Sequence, residues 1–144
     1  MYRSRHSAPD LVWSERLQKA AQDWADNCWF QHSRSAYGEN LALGYPAISA
    51  VVDAWYAENA VYDYDNPSFN AGHFTALVWA KTSMVGCAIG VCPQGVSYEG
   101  GVWIGKLYVC MYFPPGNNLG GFKDNVFPPI SGGRRRQAQQ DGEL

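Results

Sequence analysis

The chain has 144 residues, of which 47% are hydrophobic and 17% charged, with a formal net charge of −2. That length suits one domain with a real core, and the composition excludes a disordered or fibrous chain. A mildly acidic chain with no basic, aromatic-interleaved face is a poor match for nucleic acid, and no apolar run nears the roughly 20 residues that a membrane span needs.

Met1 is followed at once by Tyr-Arg-Ser-Arg-His, which lacks the apolar core of a signal peptide. The chain therefore reads either as intracellular or as part of a longer precursor. Cys28, Cys87, Cys92 and Cys110 are even in number and form no CxxC pair. Two disulfides in a secreted domain fit that pattern better than buried free thiols, and counting leaves all three connectivities open. The sequon-like Asn66-Pro67-Ser68 is blocked by its proline.

After a polar start over residues 1–10, Trp13, Leu17, Ala20, Ala21, Trp24 and Cys28 recur at steps of three and four. This spacing predicts an amphipathic helix with that stripe buried, capped by Ser14 and started by Glu15. A polar loop opens at His32-Ser33, and residues 37–43 read as a short extended segment. A second helix begins near Pro46-Ala47, with Ile48, Val51, Val52 and Trp55 on its buried face and Glu58 three residues further on. The loop over 62–71 is followed by a short helix over 73–79 with Trp79 in the core. Residues 85–91 and 102–112, rich in β-branched and aromatic side chains, predict strands joined by a loop over 94–101. Apolar residues on both faces of the second strand predict a sheet covered on both sides. From Pro114 the chain is rich in proline and glycine and predicts an extended wrap. Residues 131–144, with arginines at 134–136, are expected to be a disordered polar tail.

Three sets of residues bear on chemistry. His32, Glu39, Glu58 and His73 have the donor types for a divalent cation or for acid–base work, though each also reads as a hydrogen-bonded structural group. Glu39 in particular is placed to pin the turn at Gly38 through backbone N–H groups. No nucleophile motif occurs, since Gly95-Val96-Ser97-Tyr98-Glu99 breaks GxSxG, so binding is favoured over catalysis. The third set is Tyr62, Tyr64 and Phe69, aromatic residues in a loop that Asp63, Asp65 and Asn66 make too polar for a core element. Such a cluster either folds back onto the domain or stays exposed for a flat apolar ligand such as a sterol.

Several motifs together resemble the CAP superfamily of cysteine-rich secretory, antigen five and group-one pathogenesis-related proteins. Gly72-His73-Phe74-Thr75 running to Leu77-Val78-Trp79 is similar to its first signature. Leu107-Tyr108-Val109-Cys110-Met111-Tyr112 with Pro114-Pro115-Gly116-Asn117 is similar to its second, and Gly38-Glu39-Asn40-Leu41-Ala42 to a third. The resemblance covers roughly residues 3–129 and implies an α+β fold, a three-layer α–β–α sandwich around a central antiparallel sheet. It implies a single CAP domain over 1–130 whose first helix is truncated at Met1, and a secreted, extracellular protein. It also implies a cleft lined by His32, Glu39, Glu58 and His73, with no obligatory cofactor but the means to hold zinc or magnesium. The disulfides it implies are Cys28–Cys87 and Cys92–Cys110. Residues 64–69 and 114–129 look most like fungal secreted members, in which this loop binds sterols; that marks Tyr62, Tyr64, Pro67 and Phe69 as lipid-binding residues. The chain departs from the family pattern at Ala76, Ala80, Lys81 and Met111, which bears on cleft polarity.

The expected partner is thus a sterol or another small lipid such as a fatty acid, with no nucleic acid and no membrane span. A metal-dependent hydrolase at the His/Glu cleft, and a defence or virulence protein acting by protein–protein binding, are the alternatives.

Overall fold

The computed structural model describes residues 1–130, so the tail expected at 131–144 lies outside the described residues. In chain order the elements are α1 (Tyr2–Arg5), β1 (Val12–Trp13), α2 (Glu15–Ala25), β2 (Gly38–Leu43), α3 (Ile48–Ala57), α4 (Gly72–Val78), β3 (Met84–Gly90), β4 (Val96–Tyr98), β5 (Gly101–Trp103), β6 (Leu107–Phe113) and α5 (Phe122–Asn125). Two short 3₁₀ turns, Glu58–Val61 and Phe69–Ala71, bracket the aromatic loop.

Strand β6 organises the domain. It is hydrogen-bonded on both edges, to β2 and to β3, and β1 adds a two-residue parallel pairing on the far side of β3. Because side chains alternate across a strand, Leu107, Val109 and Met111 enter one core with Leu17, Ala21 and Ala25 of α2. Tyr108, Cys110 and Tyr112 enter the opposite core with Val51 and Trp55 of α3 and Ala76 of α4. The result is the expected three-layer α–β–α sandwich, with a sheet that is antiparallel except at β1. A third apolar cluster, including Tyr62, Phe74, Trp79 and Phe122, lies beneath the loops.

Helix α2 lies almost against β3. A Cβ built on Gly86 would fall 2.1 Å from the Gln18 backbone nitrogen, and one on Gly90 would fall 2.4 Å from the Ala25 carbonyl oxygen. Ser14 does cap α2, accepting the Leu17 N–H at 3.2 Å. Trp13, however, belongs to β1 and is exposed, and Cys28 lies past the helix end with φ of 57°. Cys28 still packs against the α2 core from beyond the helix end, which is why the periodic stripe runs on to it. The strand expected over 102–112 is two strands, broken between Trp103 and Leu107 at Gly105, whose φ is 149°. The residues before that break pair with 96–98 as a separate two-stranded sheet, β4–β5.

The disulfide pairing differs from the one the resemblance implied. Cys28 bonds Cys92 and Cys87 bonds Cys110. The sheet itself dictates this. Cys87 and Cys110 are directly opposed in the β3–β6 register and both pack with the α3/α4 core. Cys28 and Cys92 pack with the α2 core on the other face, so a Cys28–Cys87 bond would have to cross the sheet. Cys28–Cys92, not Cys87, ties the end of α2 to the segment after β3.

Two buried polar side chains secure the amino-terminal segment. The Arg3 guanidinium donates to the carbonyls of Pro9, Leu77, Trp79 and Thr82, at 2.6 to 3.0 Å, and so satisfies the chain leaving α4. Burial lowers its pKa to about 10. His6 is fully buried, donating from Nδ1 to the Phe127 carbonyl at 2.8 Å and accepting the Tyr56 hydroxyl at Nε2 at 2.9 Å.

Candidate functional site

Four elements deliver the four cleft residues. His32 lies in the loop after α2, Glu39 is the second residue of β2, Glu58 ends α3, and His73 is in the first turn of α4. All four line one cavity of about 460 Å³, together with Asn40, Phe69, Tyr112 and Asn117. Within it they form two separate imidazole–carboxylate pairs.

In the first pair, His32 Nδ1 donates to Glu39 Oε1 at 2.8 Å. The Glu39 side chain is only 5% exposed. Its Oε1 also accepts the Ser33 N–H at 2.9 Å and its Oε2 the Ser33 hydroxyl at 2.6 Å. Glu39 therefore pins the His32-Ser33 loop to β2 rather than the turn at Gly38. Burial pushes the Glu39 carboxyl pKa up, but the hydrogen bonds from His32 and Ser33 outweigh it and hold the carboxyl below its ordinary value. The bond to Glu39 raises His32 above its ordinary value, against a smaller opposing effect of burial.

In the second pair, His73 Nδ1 donates to Glu58 Oε2 at 2.7 Å, while Glu58 Oε1 accepts the backbone N–H groups of His73 and Phe74 at 3.0 and 3.1 Å. Glu58 thus satisfies the start of α4, whose amides have no partners within the helix, and fixes the His73 tautomer. The His73 ring stacks on Trp55, with centroids 5.9 Å apart and planes 13° apart. Asn40, buried in β2, donates to the His73 carbonyl at 3.1 Å and to the Tyr112 hydroxyl at 3.2 Å. Asn117 donates to the Gly72 carbonyl at 2.9 Å and accepts the Thr75 hydroxyl at 2.6 Å. These supporting asparagines were visible within the sequence motifs, but nothing in their spacing marked them as the residues that hold α4 in place.

The donor chemistry limits what the cleft can hold. Each carboxylate is taken up by its imidazole and by nearby N–H or O–H groups, so the set offers two imidazole Nε2 atoms and not two His plus two Glu. No group of three or more His, Cys, Asp or Glu able to hold a metal ion occurs among the described residues. That falls short of the three protein ligands of a catalytic zinc site, and the four residues do not fit zinc or magnesium as a His₂Glu₂ centre. Ser33, the hydroxyl nearest the first pair, donates to the carboxylate rather than to an imidazole, the reverse of the order a serine nucleophile requires.

The aromatic loop divides. Asp63 Oδ1 accepts the N–H groups of Asp65 and Asn66, folding the segment into an Asx turn. Tyr62 is buried in the third cluster, edge-on to Tyr64 at 4.8 Å. Tyr64 is half-buried beside His6, and burial pushes its hydroxyl pKa up to about 12. Pro67 is half-buried. Phe69 alone of the loop's rings is exposed, at 58%, with one edge against Phe122. It is also the ring that lines the His/Glu cavity.

A three-layer sandwich with two imidazole–carboxylate pairs facing one cavity defines the class. The cysteine-rich secretory protein family matches residues 1–112, and the chain belongs to that family. It is similar to the Saccharomyces cerevisiae protein PRY2, with 48% identity over 124 residues covering 82% of this chain and 35% of that protein. It is also similar to the Candida albicans protein "Repressed by EFG1 protein 1", with 40% identity over 144 residues covering 89% and 50%. The chain therefore spans about a third to a half of these fungal relatives. In fold it is similar to the Schistosoma mansoni venom allergen-like protein 4, with a TM-score of 0.63 at 21% identity, covering 90% of this chain and 83% of that one.

Proposed function

We propose that this CAP domain is a secreted lipid-binding domain that takes up a sterol, or another small lipid such as a fatty acid, at the junction of the aromatic loop and the His/Glu cleft. One observation carries the reading: Phe69, the exposed ring of the loop, lines the same cavity as His32, Glu39, Glu58 and His73. A sterol is a rigid apolar body with one hydroxyl, and this cavity offers a largely exposed aromatic ring beside groups with hydrogen-bonding capacity. A volume of about 460 Å³ falls within the range of small-molecule sites.

Tyr62, Tyr64 and Pro67 act behind Phe69 in this reading. Tyr62 and Tyr64 brace the loop from within, and Pro67 limits its conformations. Secretion is supported by the family the chain belongs to and by two disulfides, which persist in oxidising surroundings. Among the described residues no helix is long and apolar enough to cross a membrane.

Titration of labelled ergosterol and cholesterol into the parent and into a Tyr64→Ala/Phe69→Ala double variant tests the reading. Saturable binding by the parent and a loss of about tenfold or more in the variant are expected, equivalent to about 1.4 kcal/mol. Absence of saturable binding, or equal binding by both proteins, would overturn it.

A further inference from the structure

The polar cleft has an apolar neighbour. A second cavity, of about 330 Å³, shares Glu58 and His73 with the first, but its other walls are aliphatic and aromatic. The inner wall is core: Leu41 and Trp55 are buried. The outer wall is Tyr98 and Trp103, on a two-stranded sheet that is not hydrogen-bonded to the main one. Trp103 is 55% exposed, and its neighbours Val102 and Ile104 are exposed as well. A large, half-exposed aromatic side chain on the wall of an apolar trough marks it as a surface for a ligand.

The polar end of the trough selects the ligand's head. Both oxygens of Glu58 already accept hydrogen bonds, from the His73 and Phe74 amides and from His73 Nδ1. With Nδ1–H donating to Glu58, the neutral ring has a lone pair left on Nε2, for which the described residues supply no partner. That atom accepts an O–H. A carboxylate brought to the same place would lie beside the Glu58 carboxylate, whose side chain is 29% exposed, and like charges repel there.

We propose that this trough is a second ligand site, for an uncharged aliphatic molecule with a single terminal hydroxyl, its chain running along Trp55 and Trp103 and its hydroxyl at His73. Phe69 does not line the trough, so this site goes beyond the sterol reading and can fail without it.

The test uses 1-dodecanol, dodecanoate and dodecane below their solubility limits, with the parent, Ala54→Phe, Trp103→Ala and Phe69→Ala. Ala54 lines the trough from α3, so a phenyl ring there fills it. Trp103→Ala removes an exposed wall residue of the hairpin, so the proposal survives a folding failure of Ala54→Phe. Saturable dodecanol binding by the parent is expected, about tenfold tighter than either the acid or the alkane, and weakened about tenfold by Ala54→Phe and by Trp103→Ala. Phe69→Ala is expected to leave it unchanged. Bound dodecanol is also expected to slow backbone amide exchange in residues 96–103. Dodecanol binding that is absent, is lost in Phe69→Ala, or survives both trough variants would overturn the proposal. Retention of ergosterol binding by the trough variants, with its loss in Phe69→Ala, would leave the sterol reading intact whatever the trough does.

Discussion

Glu58 holds His73 at two points, accepting the residue's backbone N–H at 3.0 Å and its imidazole Nδ1–H at 2.7 Å. One carboxylate thus fixes both the start of α4 and the direction of the ring that α4 carries into the cleft. Replacing Glu58 by Ala leaves two amides at the helix start and one imidazole N–H without their acceptor. A loss of about 2–4 kcal/mol is expected, given the usual cost of unmade hydrogen bonds to a charged group. It would be read as a lower denaturant midpoint at unchanged slope. Glu58→Gln keeps an acceptor oxygen and should fall between the two.

The His32–Glu39 pair should respond to pH in two directions. His32 is raised by its bond to Glu39, so its contribution to stability is complete below its unfolded value of 6.5 and fades as pH rises through the folded one. Glu39 is lowered, so its contribution is complete above 4.5 and is lost as pH falls through the folded value. The pair therefore stabilises most between about 4.5 and 6.5. Proton NMR of the His32 ring should give a midpoint above 6.5 that drops in Glu39→Gln; a midpoint unmoved by that change would show that the bond is not the cause.

His6 should work the other way. It is fully buried and uses both ring nitrogens as a neutral imidazole, and burial lowers its pKa. The unfolded chain then binds a proton more readily than the folded one, so stability should fall as pH drops below about 6.5. A His6→Gln variant should show a flatter acid limb in thermal melts.

Arg3 and Gly86 test the packing. Arg3→Ala strands three carbonyls at the exit of α4 and that of Pro9 and should cost about 2–4 kcal/mol. Gly86→Ala forces a methyl into the α2 backbone and should cost at least about 1–3 kcal/mol, the usual range for overpacking. Both effects are measurable by chemical denaturation.

The disulfides give a covalent test. Peptide mapping without reduction should recover Cys28 joined to Cys92 and Cys87 joined to Cys110. Separations of 64 and 23 residues imply that removing the first bond costs more, about 4 against about 3 kcal/mol by loop-closure entropy.

Much of the fold was legible because strand alternation and helical spacing are local. The stripe through Leu17, Ala20, Ala21 and Trp24 and the two-faced run from Leu107 to Tyr112 announce a covered sheet without reference to anything distant. Which cysteine meets which was not legible, because it depends on the β3–β6 register and on which face of the sheet each thiol occupies. Glu39 and His73 lie within the sequence motifs, while His32 and Glu58 were singled out by their donor chemistry and by the resemblance; the Glu58–His73 pairing follows from α3 ending beside the start of α4. The fate of the loop aromatics depended on how Asp63 folds the turn, which buries Tyr62 and leaves Phe69 out. Arg3 and His6 looked like part of a polar leader because their partners lie some 70 to 120 residues away.

The central claim is that a sterol lies against Phe69 in the His/Glu cleft, and photo-crosslinking with a diazirine-bearing sterol addresses it most directly. The account predicts saturable labelling that unlabelled ergosterol competes away, with the adduct mapped by mass spectrometry to residues 67–73. Labelling that does not saturate, or that maps to residues 96–104 alone, would contradict it.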